Sequence, residues 1–203
     1  KLIAVILVTV AIGLFTNYFT AEYSAQMQYD MVSQSTIIPP QQLEQMKADA
    51  ANPNRVTGAI FAAIGQFIGM ILISLVAWGL GSFVMGGEST FKKVWGATLL
   101  GALIPLVGGI VKLPLMMAKD SMYVSFGLAA LFPEKDFTSI VYGILFYFDA
   151  FMIWGLVVTG IGYGIIFNIS KGKGITVALI LDIIFIGIMI GLVTLGMSFA
   201  GVE

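Results

Sequence analysis

Five long apolar segments constrain this chain more than any other feature of its sequence. They run over Leu2–Tyr18, Val56–Met85, Phe91–Met117, Thr138–Phe167 and Ile175–Phe199. A helix needs about 20 mostly apolar residues to cross the hydrocarbon core of a bilayer. Each segment has about that length or more, so the sequence predicts an all-α integral membrane bundle of five transmembrane helices.

Composition supports a membrane protein and removes several classes of function. Of 203 residues, 59% are hydrophobic and only 10% are charged, whereas an average soluble domain carries about 25% charged residues. The formal net charge of −1 offers no basic field for nucleic acid. Cysteine and histidine are both absent, which removes disulfides, thiolate nucleophiles, most zinc sites and any histidine base. We therefore predict one multi-pass membrane domain over residues 1–203, with the lipid bilayer as its surroundings.

The sequence also lacks the patterns that carry catalysis. It contains no GxSxG, HExxH or P-loop motif. Intramembrane aspartyl proteases typically carry a Gly-x-Gly-Asp motif, and neither Asp149 nor Asp182 lies in such a motif. Since an enzyme needs a reactive constellation, we predict that the protein is not an enzyme and has no catalytic residue, metal site or cofactor.

The positive charges of the connections predict how the chain is oriented. Short cytoplasmic connections carry an excess of Lys and Arg. One side of the predicted bundle gathers five lysines with little acid nearby, namely Lys1, Lys92, Lys93, Lys171 and Lys173. On the other side the basic residues are diluted by Asp and Glu. We therefore expect the N-terminus in the cytoplasm and the C-terminus outside.

The first span and the segment after it leave alternatives open. A lysine, an apolar run and the small residues of TAEYSA also fit a signal peptide, and a first residue other than Met makes us expect a segment upstream. Residues 19–55 are predicted to form an extracytoplasmic loop with a short helix from Pro40 to about Ala50. The loop either caps the bundle, which we prefer, or is a tether.

Small residues inside the spans predict where helices approach closely, because helix association in lipid depends on such residues. GxxxG patterns occur at Gly65–Gly69 and Gly187–Gly191, and a glycine-spaced run covers Gly160–Gly164. We expect these glycines to pack inside the bundle, with a homo-oligomer or partner face as the alternative.

Two prolines make the third span unusual. Pro105 and Pro114 flank Gly108 and Gly109. Proline removes a backbone donor, so we expect a kink there. A broken helix that lines a cavity is the alternative.

Three ionisable residues lie inside the predicted spans, where each costs about 2.5–3.5 kcal/mol on insertion scales. They are Lys112, Asp149 and Asp182. At 1.5 Å per residue, Lys112 lies about 7 Å and Asp149 about 16 Å from the outer ends of their spans, and Asp182 lies near the depth of Asp149. We therefore predict a polar cluster of a Lys112–Asp149 pair with Asp182 close by, packed among Pro105, Phe151 and Trp154.

The role of this cluster has three readings. We prefer a structural cluster that locks the last three spans together. A functional cavity is the second reading, because two carboxylates that share one cation tend to share a proton. In the third reading the residues share no site, and Lys112 extends outwards alone.

Two blocks of the sequence resemble the Yip1 domain family. In GGESTFKKVWGATLLGALIPLVGG, a Gly-Gly, a small polar residue, a Phe and a basic residue precede a span with a proline in it. In FDAFMIWGLVVTGIGYGIIFNISKGKG, an acidic residue, a Phe, a Trp and a glycine-spaced run precede a basic turn. The matching positions are Gly86, Gly87, Ser89, Phe91, Lys92 and Pro105, followed by Asp149, Phe151, Trp154, Gly160, Gly162, Lys171 and Lys173. The resemblance covers a core over residues 56–192.

The resemblance implies five spans with a cytoplasmic N-terminus, which agrees with the count made from apolar length. For eukaryotic relatives it implies trafficking roles with small GTPases and other membrane proteins. The long, charged first loop is more similar to that of prokaryotic relatives, some of which accompany ABC-type exporters. We therefore predict a non-catalytic accessory, scaffold or chaperone partner of other membrane proteins, in a prokaryotic cell membrane.

The predicted contact points for such a partner are the two basic cytoplasmic connections. They contain Gly86, Gly87, Phe91, Lys92, Lys93, Lys171 and Lys173. Simple anchoring by positive charge is the alternative reading of these connections. The alternative function is a small transporter or channel that uses Lys112, Asp149 and Asp182 for proton or cation coupling.

Overall fold

A computed structural model describes residues 2–33, 38–121, 123–132 and 140–200. Within these ranges the chain forms α-helices with two short helices of other types. The α-helices are α1 (Leu2–Val32), α2 (Pro40–Ala51), α3 (Arg55–Gly79), α4 (Phe91–Lys119), α5 (Ile140–Tyr147), α6 (Ala150–Ile166) and α7 (Lys171–Ala200). A π-helix at Leu80–Val84 extends α3, and a 3-10 helix covers Leu128–Leu131. The all-α prediction is confirmed.

Four helical stretches are long and apolar enough to cross a membrane. They are Leu2–Asp30, Arg55–Val84, Phe91–Lys119 and Lys171–Leu192, and Ala150–Ile166 is a shorter apolar helix. The prediction of an all-α membrane bundle is thereby confirmed. The fourth predicted span differs, because it consists of two helices, α5 and α6, separated by a break.

The segment after the first span is more helical than the sequence reading expected. Helix α1 continues to Val32, whereas the loop was placed from residue 19 onward. Good helix formers such as Ala, Gln and Met fill this stretch, and it contains neither Gly nor Pro. Tertiary contacts hold it, because Phe19 and Tyr23 pack against the end of α4 and Glu22 pairs with Arg55.

The connection from α2 to α3 ends with a side-chain cap. Helix α2 begins at Pro40, as proline at a first helical position predicts. Asn54 then caps α3 by accepting a hydrogen bond from the Thr57 backbone N–H at 3.0 Å. The short helix therefore lies close to where the sequence placed it, between Pro40 and Ala51.

Helix α4 runs without interruption from Phe91 to Lys119, with Pro105 and Pro114 inside it. The alternative of a helix broken at these prolines is therefore wrong. Pro105 cannot donate to the carbonyl of Gly101, and Gly155 of α6 approaches that place closely. A Cβ on Gly155 would lie 2.9 Å from Pro105 Cδ and 3.3 Å from the Gly101 carbonyl oxygen. Glycine thus lets α6 cover the gap in the α4 hydrogen-bond ladder.

Glycines bring the backbones of α6 and α7 into direct contact. A Cβ on Gly174 would lie 2.2 Å from the Gly160 carbonyl oxygen and 2.4 Å from the Gly164 backbone nitrogen. The expected internal packing holds for this pair of helices. It is wrong for Gly65–Gly69 and Gly187–Gly191, where an added Cβ would meet no atom of the described chain within 4 Å.

Candidate functional site

The break in the fourth span lies at Asp149, which begins α6. Its backbone is extended, with φ −95° and ψ 174°. Its Oδ1 accepts hydrogen bonds from the backbone N–H groups of Phe151 and Met152, both at 3.0 Å. Its own carbonyl accepts from Ile153 N at 3.0 Å. One residue therefore satisfies three donors at the helix start, where an anion is also favoured by the helix dipole.

The second carboxylate oxygen of Asp149 pairs with Lys112 of α4. Lys112 Nζ donates to Asp149 Oδ2, and the two side chains are 16% and 1% exposed. Gly127 covers the break and forms an isolated antiparallel bridge with Asp149. A Cβ on Gly127 would lie 2.7 Å from the Phe148 carbonyl oxygen, so glycine allows this cover. The carboxylate is thus closed in on all sides.

Asp182 lies apart from the pair, and Tyr147 is its polar neighbour. Tyr147 and Asp182 line the same cavity. Helices α6 and α7 are antiparallel and joined at residues 167–170. Counted from that junction at 1.5 Å per residue, Asp182 lies about 16 Å along α7 and Asp149 about 25 Å along α6. The structure therefore brings Lys112 and Asp149 together, and by this count Asp182 lies nearer to the junction at residues 167–170.

The three predicted packing residues have different positions. Phe151 fills the space above Gly108, where a Cβ would lie 2.4 Å from the ring, and contacts Phe126 at a centroid distance of 5.9 Å. Pro105 packs against Gly155 of α6 and not against the pair. Trp154 is 58% exposed and faces away from the bundle. Trp154 thus does not enclose the pair as predicted.

The two basic connections meet at one end of the bundle. Glu88 N donates to the Phe167 carbonyl at 3.3 Å, and Trp78 Nε1 donates to the Ser89 carbonyl at 2.9 Å. The buried Phe167 ring lies so close to Gly81 that a Cβ there would lie 2.2 Å from it. The sequence reading missed Trp78 and Phe167, since an aromatic residue at a span end carries no signal of its partner.

The predicted contact residues follow from this arrangement. Gly86 adopts φ +69°, the left-handed region that favours glycine, and Phe91 stacks on Trp95. Lys92, Lys93, Lys171 and Lys173 are all exposed. We call these four lysines and the two connections 86–90 and 167–170 the connection surface.

A cavity of about 600 Å³ lies between α3, α4 and the last three helices. Most of its lining is apolar. Its polar lining residues are Gln66, Thr98, Tyr147, Thr159, Tyr163 and Asp182. Thr98 and Tyr163 hydrogen-bond to each other at 2.8 Å, and Thr98 also donates to the Val94 carbonyl. Asp182 is therefore the ionisable carboxylate that faces this space.

The apolar helices, the paired intramembrane charges and the glycine contacts define a polytopic α-helical membrane protein. The chain belongs to the Yip1 domain family, whose sequence model matches residues 1–194. The resemblance is thereby confirmed, and the match includes α1 and the first connection as well as the core at 56–192.

A membrane protein of Bacillus subtilis is also similar in sequence. The membrane protein YknW of Bacillus subtilis (strain 168) is 30% identical over 140 residues. The match covers 68% of this chain and 58% of that protein, so this chain corresponds to less than two thirds of its relative's length. No solved structure matches the chain.

Proposed function

We propose that this Yip1 family protein is a non-catalytic partner of other membrane proteins and binds them through the connection surface. The observation that supports the proposal is the joining of connections 86–90 and 167–170 through Glu88 N and the Phe167 carbonyl. Two loops that are distant in sequence then act as one rigid face. A preformed face loses less conformational entropy on binding than two free loops would.

Charge gives this face its specificity. Four exposed lysines surround it, and Glu88 is the acidic residue within the two connections. Complementary charge directs association and excludes partners of like charge. We propose an acidic cytoplasmic segment of a trafficking or export machinery as the partner, such as a subunit of an ABC-type exporter. A small GTPase is the partner that the eukaryotic relatives suggest.

The orientation belongs to the same proposal. We place the N-terminus and the connection surface in the cytoplasm and the C-terminus outside, in a prokaryotic cell membrane. The excess of lysine over acid in the short connections supports this orientation.

Reciprocal co-purification from native membranes tests the proposal. A variant with Lys92→Glu, Lys93→Glu, Lys171→Glu and Lys173→Glu should lose a partner that wild type retains. The matched control carries Lys47→Glu and Lys119→Glu, which change exposed lysines away from the surface. Both proteins should keep the wild-type thermal midpoint. Retention of every partner by the first variant, or equal loss in the control, would contradict the proposed surface.

The geometry of the ion pair gives less support to transport. Both carboxylate oxygens of Asp149 are occupied, by Lys112 and by two backbone N–H groups. A coupling carboxylate has to exchange its partner during each cycle, whereas this one also holds a helix start. Proton- or cation-dependent flux in proteoliposomes that Asp149→Asn abolishes, with the fold intact, would establish transport instead.

A further inference from the structure

The cavity between α3, α4, α6 and α7 is not explained by the partner function. Its volume of about 600 Å³ lies within the range of roughly 300–1,000 Å³ for small-molecule sites. At Gly174, by contrast, α6 and α7 approach until their backbones are in contact and leave no such space. The partner function does not explain why the bundle leaves this cavity unfilled.

Glycines on α3 keep this space open. Gly65 and Gly69 both line the cavity, and a Cβ on either residue would meet no described atom within 4 Å. Larger residues would therefore fit without displacing the backbone. Their absence leaves room that two leucine side chains could fill.

The charge inside the cavity selects what it can hold. Asp182 faces the space with Tyr147 beside it. Among the described residues, Lys112 is the intramembrane cation, and it is already paired with Asp149. A carboxylate in an apolar environment is stabilised by a cation or by a hydrogen-bond donor. Asp182 thus offers an unused acceptor at the wall of an otherwise apolar cavity.

We propose that this cavity is a binding site for a cationic amphiphile, an alkyl amine whose ammonium group meets Asp182. Tyr147 lines the cavity beside the carboxylate, and the alkyl chain lies along the apolar lining beside Gly65 and Gly69. An ammonium group supplies the three donors and the charge that the carboxylate requires. The site is separate from the connection surface, so it stands whether or not the partner function holds.

Photolabelling in phosphatidylcholine nanodiscs tests the site. The probe is decylamine with a diazirine on its chain, and the matched probe is decanol with the same diazirine. Labelled peptides are mapped by mass spectrometry. We expect the amine to label the lining of α3, α6 and α7, with competition by unlabelled decylamine. The labelling yield of these peptides with decanol should be at least about tenfold lower than with the amine, because decanol lacks the charge-assisted hydrogen bond.

Three variants separate the cavity from the surrounding lipid. Asp182→Asn should reduce amine labelling of the lining about tenfold, and Gly69→Leu should abolish it by filling the space. Gly187→Leu is the control, because Gly187 also has open space around it but lies outside the cavity. It should label as wild type does.

Several results would overturn the proposal. Equal labelling of the wild-type lining by the amine and the alcohol would show a pocket without charge selection. Labelling that is confined to the lipid-facing surface, or that is unchanged in Asp182→Asn, would show partition into the bilayer alone. The comparison of the two probes needs no variant, so a failure of a variant to fold does not remove the test.

Discussion

The Lys112–Asp149 pair should behave as one unit in stability measurements. Lys112→Met removes the cation and keeps a long side chain. Asp149→Asn removes the charge but keeps an oxygen that accepts from the N–H groups of Phe151 and Met152. Each single change leaves one buried charge without its partner, because the side chains are only 16% and 1% exposed. We expect each to cost about 3–5 kcal/mol of unfolding free energy.

The double variant should be more stable than the two single costs imply. It leaves neither charge unpaired, and apolar replacement of a buried pair is often close to neutral. We therefore expect the double variant to cost no more than one single variant, which makes the coupling energy at least about 3 kcal/mol, at the upper end for residues in contact. Asp149→Leu adds the loss of the helix cap, about 1 kcal/mol beyond Asp149→Asn.

Unfolding of the purified protein in mixed dodecyl maltoside and SDS micelles measures these energies. Helix content by circular dichroism and the emission of the three tryptophans follow the transition. Single costs below about 1 kcal/mol, or a double variant equal to the sum of its parts, would refute the reasoning. The charges would then be solvated separately rather than paired.

Further predictions use the same unfolding assay or the absence of cysteine. Gly174→Val should cost several kcal/mol, because its Cβ would lie 2.2 Å from a carbonyl oxygen of α6, whereas Gly187→Val should stay within about 0.5 kcal/mol; equal costs would contradict the packing. Phe167→Ala should cost about 3–5 kcal/mol as a cavity, and a cost near zero would refute a role in joining the connections. Membrane-impermeant maleimide should label Lys47→Cys in intact cells and Lys93→Cys only after permeabilisation, and the reverse pattern would invert the orientation.

Apolar length was sufficient to predict most of the fold. The second, third and fifth spans lie within a few residues of α3 with its π-helix, α4 and α7. Length and composition decide these elements because the bilayer allows few alternatives to a helix. The end of α1 was missed for a different reason. Beyond the membrane, helix propensity and contacts such as Glu22 with Arg55 decide where a helix ends.

The candidate site was less accessible to sequence reasoning. A contact between Lys112 and Asp149 follows from the need of an intramembrane charge for a partner. The break at Asp149 was missed because no Gly or Pro stands beside it, although aspartate is itself a favoured first residue of a helix. A continuous span then placed Asp149 at the depth of Asp182. Counted from the junction at residues 167–170, the two carboxylates instead lie about 9 Å apart along their helices.

The two aspartates differ in their surroundings: Asp149 is buried and paired with Lys112, whereas Asp182 lines the cavity. A helix that begins inside a membrane leaves backbone N–H groups that lipid cannot satisfy. The Asp149 carboxylate satisfies two of them, and Lys112 and Gly127 close its remaining sides. A conformational change at the break would leave several polar groups without partners at once, so we expect the break to keep one conformation. Asp182 carries no such constraint, so ligand-dependent change is expected around the cavity and not at the ion pair.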